Sequence, residues 1–131
     1  MPQLVSALGP LFGRVLLSGI FFYSGIQKLI APGRTAASIA GHGLPFATSA
    51  AYAAGAFEIA AAVLLALGLK TRLAALALVL YLALVSWLYH WPPALRGDHV
   101  QMVQLLKNAG LMGGMLLLAS FGPGRASVDR G

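Results

Sequence analysis

The chain contains no cysteine, which removes disulfides, thiol redox chemistry and thiolate metal sites at one stroke. Any redox role therefore needs a bound cofactor. Charge is scarce too. Asp, Glu, Lys and Arg make up 9% of the 131 residues, against about 25% in an ordinary soluble domain. A chain this short leaves roughly a third of its unfolded surface wet after folding, and so few charges do not cover it. Acids are scarcest, with only Glu58, Asp98 and Asp129. No catalytic triad, phosphate loop or dinucleotide fingerprint is present, and the serines lack the adjacent base and orienting acid that nucleophilic chemistry requires. Hydrolase readings are excluded. What the chain has in excess is apolar surface, with 59% hydrophobic residues and a mean hydropathy of +0.82. Such a composition is not that of a disordered chain, and it leaves lipid as the solvent.

The basic balance does not point to nucleic acid. Net charge is +6, but the Lys and Arg residues are scattered singly and form no stripe to follow a phosphate backbone. The expected surrounding is the lipid bilayer.

At about 20 residues per crossing, the length allows four spans. The reading is all-α: an integral membrane four-helix bundle forming a single domain over residues 1–131. The first span is expected from about Pro10 to Ile30, before the stop signal Ala31, Pro32 and Gly33. The second covers 47–67 after Gly43 and Pro45. A hairpin from Gly68 to Thr71 leads to the third, at 73–91, which Pro92 and Pro93 end. The fourth covers 100–121 and is closed by Gly122, Pro123 and Gly124, a helix stop and not a nucleotide loop. Gly113 to Met115 reads as a packing surface. No internal repeat is convincing. The first span is retained and not removed as a signal peptide, because no basic residue precedes it and Lys28 stands where a cleavage site would begin.

Orientation follows from the excess of Lys and Arg on cytoplasmic sides. Arg14, Lys70, Arg72, Arg125 and Arg130 fall on one side, and Arg34 and Arg96 on the other. Both termini are expected in the cytoplasm, with the loops 31–48 and 92–99 outside. Trp87, Tyr89 and Trp91 then form an outer aromatic belt.

Ionisable residues inside the spans carry the functional signal, since a charge at mid-bilayer costs about 2.5–3.5 kcal/mol on insertion scales. Glu58 lies near the centre of the second span, too deep and too short to reach water. It must face the interior, either paired with a cation or protonated. Lys28 lies within a turn of the outer end of the first span, where it either snorkels to headgroups or turns inward. Lys107 lies two turns into the fourth. Helical spacing groups Arg14, Phe21, Ser24 and Lys28 on one arc, and Ala51, Gly55, Glu58 and Ala62 on another. The small residues beside the acid permit close backbone approach. Ala83, Ser86, Trp87 and His90 form a third arc. Gln101, Gln104, Lys107, Asn108 and Leu111 form the fourth and most polar. One carboxylate then faces two lysines, so one lysine lacks a partner. Two readings stand: a Glu58–Lys107 ion pair that only fixes helix register, or a polar pocket in the outer half of the bundle, open sideways to an amphiphile and presenting the spare lysine to an anion or a carbonyl oxygen. His90 is read as a proton-handling group at the mouth or as an interface anchor. His42 is a loop residue. The spacing of His90 and His99 is no metal-ligand pattern, and no metal is expected.

Four stretches carry a family resemblance: FFYSGIQKL (Phe21 to Leu29), AGAFE ending at Glu58, LGLKTRLAA (Leu67 to Ala75), and QLLKNAGLMGG (Gln104 to Gly114) followed by GPGRASVD. They resemble the DoxX family of small four-helix bacterial inner-membrane proteins over roughly Arg14 to Asp129. The resemblance implies a link to respiratory or oxidative-stress redox chemistry. Relatives include the DoxD-type subunit of thiosulfate:quinone oxidoreductase and a mycobacterial member that associates with superoxide dismutase and a sulfurtransferase. Carried over by position, Ser24, Lys28, Glu58, His90, Lys107 and Asn108 match the family's polar pattern, and Gln104 joins them on the polar arc as a candidate ligand-binding residue. This chain departs from many relatives in placing Trp91 and Pro92 after the histidine, which weakens a proton-relay role for His90. No soluble catalytic module is expected within it.

The resulting expectation is a redox-linked protein binding a quinone, ubiquinone or menaquinone, with a lysine and Asn108 holding a carbonyl, Glu58 balancing charge, and His90 at the entrance. The alternative is a non-enzymatic scaffold or assembly subunit for a redox or stress-response complex. Redox proteins are the expected partners under either. A carrier would need alternating access, which four helices without a repeat support only as a homo-oligomer.

Overall fold

A computed structural model describes residues 2–129. Helix α1 runs Pro2–Ile30, α2 Pro32–Gly41, α3 Ala47–Leu67 and α4 Thr71–Val85; a π turn over Ser86–His90 joins α4 to the short α5, Trp91–Leu95, and α6 runs His99–Phe121. The stretches Pro2–Ile30, Ala47–Leu67, Thr71–Leu95 and His99–Phe121 are each long and apolar enough to cross a membrane. The expected all-α architecture with four membrane-length helices is present. Large apolar side chains such as Leu16, Leu80 and Phe121 face outward, as lipid solvation requires and water would not allow.

Helix α1 packs antiparallel along α3, and α4 antiparallel along α6. The α1–α3 crossing centres on Gly25 and Gly55. A Cβ on Gly25 would meet the Gly55 carbonyl oxygen at 2.8 Å, and one on Gly55 would meet the Gly25 carbonyl oxygen at 3.0 Å. Only glycine permits this backbone contact, the usual device where the hydrophobic effect does not drive helices together. The apolar core lies toward the other end, where Phe21, Leu65, Leu78 and Met115 are buried together.

Three boundaries differ from the sequence expectation. Helix α1 begins at Pro2 and holds Pro10 inside it. Proline removes a single donor, and the apolar turns before it carry the helix onward. The stretch 31–48, expected as a loop, contains α2. The third span does not end at Pro92 and Pro93, which instead occupy the first turn of α5, where amide donors have no intrahelical acceptor. Their missing donors interrupt the i→i+4 ladder just before, and the Trp91 amide reaches back to the Ser86 carbonyl in the π turn.

The end of the bundle opposite the α2 segment is tied down by Arg14, which is fully buried. Its Nε donates to the Pro123 carbonyl at 3.0 Å, Nη1 to those of Leu65 at 3.0 Å and Ala66 at 2.8 Å, and Nη2 to that of Ala126. Arg14 therefore satisfies carbonyls at the α3 C-terminus, which a helix leaves unpaired, and is not a free interfacial charge of the kind assumed in the orientation count. Arg130, also used there, lies outside the described residues. The tail then crosses the α3–α4 hairpin. The Val128 and Asp129 amides donate to the Leu67 and Gly68 carbonyls at 3.0 and 2.8 Å. The Asp129 carboxylate accepts from the amides of Lys70 and Thr71, both at 2.8 Å. An acid remote in sequence thus caps α4, where its charge also complements the helix dipole.

Candidate functional site

Glu58 is buried one helical turn beyond Gly55. The glycine contact brings α1 so close that Lys28, rather than Lys107, becomes its partner. Lys28 Nζ stands 3.1 Å from both carboxylate oxygens and 2.7 Å from Ser24 Oγ, one turn earlier on the same helix. Lys28 therefore turns inward and does not snorkel. The Tyr81 hydroxyl donates to Glu58 Oε1 at 2.6 Å, and its ring packs on Phe57 with centroids 5.1 Å apart. Lys28 has three ammonium hydrogens, and three acceptors surround them. The Ser24–Lys28–Glu58–Tyr81 cluster is internally satisfied.

A cavity of about 650 Å³ opens beside this cluster, within the range of about 300–1,000 Å³ usual for small-molecule sites. Ser24, Lys28, Glu58 and Tyr81 line it, as do His90, Lys107 and Asn108, with Ile20, Phe21, Leu82, Leu88 and Leu111 supplying apolar wall. Six of the seven sequence-derived site residues thus share one enclosure. The seventh, Gln104, is not part of the lining; it accepts from Lys107 Nζ at 2.6 Å and so holds that side chain. The Glu58–Lys107 pair considered from sequence does not form. Lys107 is the lysine without a carboxylate.

Helix α2 supplies part of the wall through Arg34, Thr35, Ser38 and Ile39. It closes over the N-terminal end of α3, and beyond it the His42 ring lies 4.2 Å, centroid to centroid, from that of Tyr89. Tyr89 thus turns into the cavity wall, while Trp87 and Trp91 are exposed on the outside of the bundle. On the opposite wall the π turn sets the positions of its end residues. Ser86 Oγ accepts from the buried Asn108 amide at 3.0 Å, and His90 Nδ1 lies 2.5 Å from Gln101 Oε1. Such single π turns recur at functional sites. Among the described residues no three His, Asp or Glu side chains come together as metal ligands.

Tyr81 and α2 are the parts of the site that sequence reasoning missed. A tyrosine in the middle of an apolar span carries a hydroxyl that lipid cannot satisfy, and that was the available signal. For α2, the proline and glycines at its ends read as loop, although Arg34, Ser38 and Ile39 have helical spacing.

Four membrane-length helices around a buried ion pair and a mostly apolar cavity with polar side chains in its wall define a small multi-pass membrane protein. The DoxX family model matches residues 9–91, and the chain belongs to that family. The SURF4 family model matches residues 54–131. The chain is 34% identical over 122 residues, 92% of its own length and 87% of the relative's, to the inner membrane protein YphA of Escherichia coli (strain K12). No solved structure matches it. It is a multi-pass inner-membrane protein of the DoxX family.

Proposed function

We propose that this protein binds a quinone in the outer-half cavity and serves a redox complex of the inner membrane. One observation carries the reading: beside a self-satisfied Lys28–Glu58–Tyr81 cluster, Lys107 and Asn108 line the same cavity with donors to spare. Lys107 uses one ammonium hydrogen on Gln104, and Asn108 uses one amide hydrogen on Ser86, so each retains hydrogen for a ligand carbonyl. The volume and apolar walls suit a ring with the first part of a prenyl tail. A bound quinone supplies reversible electron and proton uptake, for which the cysteine-free chain has no thiol of its own. Glu58 neutralises Lys28 and so leaves Lys107 as the holding cation, and His90 stands at the cavity wall beside Gln101. Redox-protein partners would deliver or remove the electrons.

Titration of the purified protein with ubiquinone and with menaquinone tests this. Saturable binding of one or both, weakened in Lys107→Ala and Glu58→Gln, is the expected outcome. Absence of saturable binding in the wild type, or binding indifferent to both substitutions, overturns it. Stoichiometric co-purification of a protein partner without any lipid-soluble ligand would favour the scaffold reading instead.

A further inference from the structure

All three carboxylates of the chain are engaged. Glu58 holds Lys28 and Tyr81, Asp98 caps α6 by accepting from the Gln101 amide at 3.2 Å, and Asp129 caps α4 at the far end. None remains for the two other cations that line the cavity, Arg34 and Lys107. Lys107 touches only the neutral Gln104 oxygen, and the Lys28–Glu58 pair is the sole ion pair among the described residues. Lys28 and Glu58 cancel, so two positive charges from two different helices, α2 and α6, stand uncompensated around a largely apolar enclosure. Both side chains are exposed, so water and salt screen them in part, but no carboxylate offsets either. The guanidinium fork of Arg34 matches the geometry of a carboxylate or phosphate, and Lys107 adds a point charge with two free hydrogens.

We propose that the cavity selects amphiphiles whose headgroup is negatively charged, with Arg34 and Lys107 receiving the anion and the Phe21–Leu88–Leu111 wall taking the start of the tail. The proposal rests on the reading that an amphiphile occupies this cavity; a quinone head is neutral, so the anionic amphiphile is a further ligand of the same enclosure. A fatty carboxylate and an anionic phospholipid share this chemistry.

The test is calorimetric titration of the full chain in a non-ionic detergent with dodecanoate and with dodecanol, probes of equal tail length that differ in charge. Dodecanoate is expected to bind at least tenfold more tightly. Arg34→Gln and Lys107→Gln should each cut dodecanoate affinity at least fivefold, and by more than they cut dodecanol affinity. Both side chains are exposed, so the variants keep the fold, and a thermal melt checks this. A short-chain phosphatidylglycerol that displaces dodecanoate, where the matching phosphatidylcholine does not, assigns the head to a phospholipid; failure of both to displace it assigns it to a free carboxylate. Either supports the proposal. Equal affinity for the two dodecyl probes, a preference indifferent to both substitutions, or inorganic phosphate binding as tightly as dodecanoate overturns it. Charge selectivity that persists while ubiquinone and menaquinone fail to bind would sink the quinone reading alone, and absence of all amphiphile binding would sink both.

Discussion

The Cβ of Lys28 lies 2.9 Å from the point where a side chain on Gly55 would begin. The same close approach that excludes a methyl group on α3 delivers the Lys28 ammonium to Glu58 one turn further along. Packing and electrostatics at this crossing are a single arrangement, and substitutions should disturb them together.

Gly55→Ala and Gly25→Ala are therefore expected to destabilise by about 1–3 kcal/mol through overpacking, because the obstructing atoms include, beside the side chains of Lys28 and Ile59, backbone carbonyl oxygens that cannot give way. Gly19→Ala, where the new methyl meets nothing within 4 Å, should be neutral. Thermal unfolding in one detergent, with the three variants side by side, checks the contrast. A Gly19 variant as unstable as the Gly55 variant would show that glycine content, not the crossing, sets stability.

Breaking the pair from one side should cost more than removing it. Lys28→Met strands a carboxylate that is 4% exposed, and removing one partner of a buried pair costs about 3–5 kcal/mol. Glu58→Gln strands the ammonium but leaves it beside Ser24, a milder loss. The double variant Lys28→Met/Glu58→Gln is expected to recover part of the Lys28→Met loss, and the coupling between the sites is read from a double-mutant cycle of melting temperatures.

These two residues also mark how far sequence reasoning reaches. Burial of Glu58 followed from depth, and its small flanking residues announced a close helix contact. Which helix would arrive was not legible, because Lys28 and Lys107 both fell in the same half of the bundle, on arcs of equal plausibility. The choice was made by Gly25, a residue whose importance is a missing atom. Asp129 was legible only as an acid in a tail, since capping α4 from a distance of nearly sixty positions leaves no local pattern. The π turn was hidden because two consecutive prolines ordinarily stop a helix and here begin the next.

Asp129 gives a pH dependence with a definite sign. Hydrogen bonds from the Thr71 and Lys70 amides hold its carboxyl below the ordinary aspartate range. A folded-state pKa below the unfolded one favours the docked tail above the unfolded value, near 4, and loses that contribution as pH falls through the lower, folded value. Limited proteolysis of the tail should accelerate below about pH 4. In Asp129→Asn the tail should be cut readily at neutral pH, with little further change on acidification. A tail equally protected in both proteins at pH 7 would contradict the capping role.

Arg14 should not tolerate its usual substitute. Lysine has no planar fork and cannot serve four carbonyls spread over the α3 end and the tail. Arg14→Lys is expected to lose on the order of 3 kcal/mol, since each buried carbonyl left without a donor costs about 1–3 kcal/mol. Arg72→Lys at an exposed neighbouring position is the control and should be silent. Melting temperatures compared with the wild type decide it.

The absence of cysteine makes orientation directly measurable. If both termini face the cytoplasm, a cysteine at Gly41, exposed at the end of α2, should react with a membrane-impermeant maleimide in intact cells. One at Arg125, exposed in the tail, should react only after permeabilisation. Discounting Arg14, which is buried, the side bearing the hairpin and tail still holds Lys70, Arg72 and Arg125 against Arg34 and Arg96 opposite. The excess is small, and Arg34 is not a free loop charge if it serves the cavity. Labelling of Arg125→Cys in intact cells would invert the topology, turn the cavity toward the cytoplasm, and require any amphiphile to enter from the inner leaflet.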